Sequence, residues 1–83
     1  MPTEPVIDRE TARHVLWMYG HEGGLQPGVF TQRMFGAISA ASIQSKRKLA
    51  NEFPELVAAI DLACLDPEGI AKLQQIASGQ VAA

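Results

Sequence analysis

Four of the seven glycines fall within nine residues, Gly20 to Gly28, in the stretch GHEGGLQPG. Glycine at that density can cradle a phosphate. A phosphate loop needs Gly, four residues, then Gly-Lys-Ser/Thr, because the lysine reaches the β/γ-phosphates and the hydroxyl holds magnesium. Gly23 and Gly28 have the separation, but Val29 and Phe30 stand where Lys and Ser/Thr must be. No Gly-x-Gly-x-x-Gly is present either, and no strand–helix–strand unit to carry it. What remains is an anion on the exposed amides of the helix that follows. The reading that needs no ligand is a joint between two helices. There, glycine permits positive φ and close helix approach, and Pro27 marks the restart.

The other reactive residue types are sparse. His14 and His21 lie seven apart, with Glu22 beside the second. No His-Glu-x-x-His, no Cys-x-x-Cys and no third ligand accompany them, so surface histidines are expected and no metal or cofactor is. The single cysteine, Cys64, cannot form an internal disulfide. It lies on an apolar helix and is expected to be buried and to pack as a small hydrophobe. A catalytic thiol wants an accessible, electropositive site with a histidine partner. No Ser/His/Asp pattern stands out. The chain is therefore expected not to be an enzyme.

The run SKRK, Ser45 to Lys48, is the feature that points to nucleic acid. The helices on either side of Ala41–Ser42 suggest a helix-turn-helix, with Gln44, Lys46, Arg47 and Lys48 toward a groove. Against this stand the net charge of −2, a pI of about 5.5 and the lack of a tight glycine turn between the helices. A short solvated basic face is the simpler account, and a DNA-binding regulator is the alternative function.

These residues need elements to position them. The chain has 83 residues and 47% hydrophobic content, enough for one globular core. A domain of this size buries roughly 60–65% of the surface its unfolded chain exposes. Residues 1–7 read as an extended arm, 8–79 as the helical domain and 80–83 as a frayed end. Asp8 suits an N-cap. The first helix, about Arg9 to Tyr19, carries the stripe Ala12, Val15, Leu16 and Tyr19, and Gly20 is placed to end it. Pro27 suits the first turn of a second helix, Gly28 to Ala40, with Phe30, Met34, Ala37, Ile38 and Ala41 on one face. Ser42 caps a third helix, IQSKRKLANE. The fourth, PELVAAIDLACL, is apolar nearly all round and is expected at the centre, buried on most faces. Asp66 as N-cap and Pro67 at the first position start the fifth, which presents Ile70, Leu73, Ile76 and Ala77 and ends at Gly79. The fold class predicted is all-α, a bundle of four to five short helices.

Against this frame Trp17 is out of place. At 100° per residue it points nearly opposite the stripe, among Glu10, Arg13 and His14. Phe35 is similarly offset on the second helix. Large aromatics off the core face are enriched among binding anchors. Trp17, Phe35 and His21 near the joint are thus the candidate protein-binding residues, unless another helix or Val6 and Ile7 cover them. The N-terminus has no basic-then-apolar leader, and no apolar run nears the ~20 residues of a membrane span.

Three segments, YGHEGGLQPGVFTQRMFGAI, RKLANEFPELVAAIDLA and DPEGIAKLQQIA, resemble a group of short proteins from phages of actinobacteria, mycobacteriophages among them. The similarity covers residues 12–77 and is marked by Tyr19-Gly20, Gly24, Gln26-Pro27-Gly28, Phe30, Phe53-Pro54 and Asp66-Pro67-Glu68-Gly69-Ile70. The group has no assigned activity, so no site residues carry over. The resemblance implies expression in the cytoplasm of a bacterial host and a small accessory role. The expected function is non-catalytic docking onto a host protein or a second copy, with no membrane; a minor assembly component is a further alternative.

Overall fold

The computed structural model describes residues 6–79, so residues 1–5 of the expected arm and the expected frayed end, 80–83, lie outside the described residues. Five helices follow one another: α1 (Arg9–Met18), α2 (Val29–Ala40), α3 (Ile43–Glu52), α4 (Pro54–Leu65) and α5 (Gly69–Ala77). No strand occurs among the described residues. The protein is an all-α domain, with α4 touching each of the other four helices and α1 packed most extensively on α5.

Local chemistry sets the helix ends. The Asp8 carboxylate accepts from the Thr11 amide at 2.8 Å, and hydrogen bonding from the Thr11 side chain first, and then from that amide, holds its pKa below the usual value. Ser42 Oγ accepts from Ser45 N at 3.2 Å, so α3 forms as expected despite its thin apolar content. At the C-terminus of α1, Gly20 takes φ +76. The His21 amide then reaches the Leu16 carbonyl and the Gly20 amide the Trp17 carbonyl, the paired bonds of a Schellman end. Gly79 closes α5 with φ +83. A carbonyl at that end, Ala77 O, accepts from Arg9 Nε at 2.6 Å, which ties α1 to α5 and places a cation at the negative end of the helix dipole.

The core is built from Ala12, Val15 and Leu16 of α1, Val57, Ala59 and Ile60 of α4, and Leu73 and Ala77 of α5, with Ile38 the sole contribution from α2 that is fully buried. This agrees with the stripes predicted for α1 and α5. It corrects the one predicted for α2: Phe30 is 65% exposed and Ala37 is also exposed. The helix leans on α4 rather than lying between neighbours, so a single turn of it, at Ile38, reaches the centre.

Three further expectations are corrected. Helix α2 starts at Val29, not Gly28, and Pro27 precedes the cap instead of occupying the first turn. Pro27 is buried there, and its carbonyl accepts from the Gln32 side chain at 2.8 Å. Helix α5 starts at Gly69, with Asp66 ending α4. The Asp66 side chain accepts from Glu68 N at 2.8 Å, making an Asx turn across Pro67. The reason is the α4–α5 approach, because a Cβ at Gly69 would collide with the Leu62 carbonyl. Finally, α4 is not buried all round. The chain turns at Asp66 and comes back against the Leu62 carbonyl at Gly69, so the last turn of α4 protrudes, with Cys64 exposed and Leu65 73% exposed.

Two glycines should therefore respond with opposite signs. Gly69→Ala is expected to destabilise by about 2–3 kcal/mol, because the backbone it would strike cannot yield cheaply. Gly36→Ala, on an open helical surface with nothing near its Cβ, should stabilise by about 0.5–1 kcal/mol. Urea unfolding of the two variants checks both.

Candidate docking surface

The glycine joint folds back along α1. Leu25 N donates to the Arg13 carbonyl at 3.0 Å, Arg13 Nε to the Gly23 carbonyl at 3.3 Å, and Gln74 of α5 to the Glu22 carbonyl at 3.1 Å. Gly23 has φ +92, and a Cβ at Gly24 would stand 2.6 Å from the Trp17 Cα. Both roles expected of the glycines, left-handed backbone and close approach, are present. The joint covers the backbone of Trp17 and leaves the residue 40% exposed. Leu25, in the same joint, is 41% exposed.

The other two aromatic candidates divide. His21 is exposed just past the Schellman turn. Phe35 is half-buried against the core, edge-on to Tyr19 with ring centroids 5.1 Å apart. Tyr19 sits two positions from Trp17, some 200° round α1. The structure therefore puts Phe35 and Trp17 on different sides of the helix and does not join them in one patch.

Below Trp17 on its own face of α1 come His14 and Glu10, three and seven positions back. They form one wall of an open groove of about 350 Å³. Phe30 from the start of α2 and Phe53 from the α3–α4 junction provide aromatic surface, with centroids 6.0 Å apart. Glu52 and Glu55 line it beside Phe53. Glu10 Oε2 lies 3.9 Å from His14 Nε2, and Glu55 Oε1 accepts weakly from the Asp8 amide at 3.4 Å. Among the described residues, no lysine or arginine lines this groove. Sequence reasoning missed it, because its residues come from three separate places in the chain; the exposed position of Phe30 was the missing signal.

The basic run is split by the fold. Lys46 turns inward and pairs with Asp61 of α4 at 2.6 Å, while Gln44, Arg47 and Lys48 stay exposed. Both α2 and α3 pack on α4 rather than chiefly on each other. Among the described residues, no group of three His, Cys, Asp or Glu side chains could hold a metal, and no helix is long and apolar enough to cross a membrane.

Cys64, expected as packing filler, instead lies at the surface with its Sγ 2.8 Å from the Tyr19 hydroxyl. Burial first, and then the bond to Cys64, push the Tyr19 pKa up to about 12. The chain matches no protein-family model, and no curated protein or solved structure matches it significantly.

Tyr19 is the only tyrosine, so its titration can be followed by tyrosinate absorbance. Its midpoint is expected near about 12, against about 10 for a free tyrosine. Cys64→Ala should lower the midpoint while leaving it above that of free tyrosine. Because the folded state holds the proton more tightly, the associated stability is complete below the unfolded pKa and is lost as pH rises toward the folded one. Tyr19→Phe should flatten that part of the decline in an alkaline unfolding series.

Proposed function

We propose that this chain is a non-catalytic phage accessory protein that works in the cytoplasm of its bacterial host by docking onto another protein. The observation that carries the reading is Trp17: a large aromatic, 40% exposed, whose backbone is clamped by Gly24 and the folded-back joint. An aromatic held on a rigid element loses little entropy on binding, which is what a docking anchor needs. Leu25, Val29 and Phe30 extend exposed apolar surface from the joint into the first turn of α2. The resemblance to proteins of actinobacterial phages supports the setting. The pairing of Lys46 with Asp61 weakens the DNA-binding alternative, since it turns one of the three central cations away from solvent. The Tyr19 hydroxyl, not a histidine, is the hydrogen-bond partner of the Cys64 thiol, which gives no support to a thiol enzyme.

Trp17→Ala tests the reading. The variant should stay folded, losing about 1–2 kcal/mol at most for a half-exposed side chain, and should lose a partner that the unaltered protein captures from host lysate. An unfolded Trp17→Ala would assign the residue to the core and remove the anchor. Retention on DNA that weakens with salt, and disappears when Arg47 and Lys48 are neutralised, would replace docking with nucleic-acid binding.

A further inference from the structure

We propose that the groove beside Trp17 receives a basic side chain, lysine or arginine, from an extended segment of the partner protein. The inference deepens the docking reading and rests on it. Three carboxylates, Glu10, Glu52 and Glu55, line an opening that no lysine or arginine lines among the described residues, and His14, 3.9 Å from Glu10, is the one basic side chain there. The chain has seven lysines and arginines, but four are engaged elsewhere: Arg9 on the Ala77 carbonyl, Arg13 on the Gly23 carbonyl, Lys46 on Asp61 and Lys72 on Asp66. The other three, Arg33, Arg47 and Lys48, do not line the groove either, so Glu52 and Glu55 have no lysine or arginine partner there and an external cation can supply one. Its apolar surface fits the same guest, because Phe30 and Phe53 both line the groove and aromatic surface suits a methylene stem and a nearby cation.

The size selects a side chain rather than a folded surface. About 350 Å³ is near the lower limit of ligand pockets, which span roughly 300–1,000 Å³. Trp17 selects a polypeptide over a free amine. It lies on the same face of α1 as Glu10, seven residues on, or about 10 Å along the helix axis. That distance is spanned by about three residues of extended chain. A segment with an apolar residue on Trp17 and a basic residue about three positions away would engage both.

The probe is an acetylated, amidated Leu-Ser-Ser-Lys peptide, titrated into isotopically labelled protein at low salt while backbone amide shifts are followed. Saturable shifts are expected at Glu10, His14, Phe30, Phe53 and Trp17, weakening as salt rises. A peptide with norleucine for lysine should bind at least tenfold more weakly. The double variant Glu10→Gln with Glu52→Gln, both exposed positions whose shape is kept, should lose at least tenfold while melting as the unaltered protein does. Equal binding of the norleucine peptide, equal binding by the double variant, or no saturable shift at low salt would overturn the proposal. So would spermidine competing as well as the peptide, since that removes the polypeptide from the assignment. Loss of binding in the double variant but not in Trp17→Ala would uphold the groove and discard Trp17 as anchor, which separates the two readings.

Discussion

The rest of the structure depends on the back-folding of the glycine joint onto α1. Gly20 reverses the chain with a left-handed turn and closes the helix through paired bonds to Leu16 and Trp17. Gly24 then lies so near the Trp17 backbone that no side chain fits between them. One covered backbone has several consequences. The indole side of α1 stays open, Pro27 is buried ahead of α2, and α2 begins where Phe30 can meet Phe53. The joint thus sets where Phe30 enters the groove, while direct packing of α1 on α4 holds its other walls together.

A second close approach, Gly69 on the Leu62 carbonyl, controls the opposite end of the core. It brings Leu73 and Ala77 onto α1 and α4 and leaves the last turn of α4 outside, with Cys64 set against the Tyr19 hydroxyl. Both approaches use the absence of a Cβ to bring backbones together, which suits a domain with few large core side chains. Among the described residues, only Leu16, Ile38, Leu73 and Val15 are large and fully buried. With so little apolar volume, packing distance matters more than residue size, and polar ties such as Arg9 to Ala77 and Lys46 to Asp61 fix how helices are placed rather than adding much energy.

Those ties also shape the surface. A chain of net charge −2 holds four of its basic side chains in internal bonds. Among the described residues, the groove carboxylates Glu10, Glu52 and Glu55 have no such partners apart from the contacts of Glu10 with His14 and Glu55 with the Asp8 amide. Three of the nine acidic residues, Glu10, Glu52 and Glu55, therefore line the groove with Phe30 and Phe53.

The five helices, their caps at Asp8 and Ser42, the left-handed ends at Gly20 and Gly79, and the outward position of Trp17 were legible in the amino-acid order. Each depends on neighbours within a turn or two, where steric and hydrogen-bonding preferences act locally. What only the tertiary structure decided is which apolar surfaces are covered. Phe30 and Leu65 continue their helical stripes yet stay exposed, Cys64 reaches the surface, and Lys46 leaves the basic run to meet Asp61. Periodicity states that a face is apolar; whether another helix reaches it depends on contacts between residues far apart in the chain. The groove belongs wholly to that second category, because its walls come from three stretches that meet only when the helices pack.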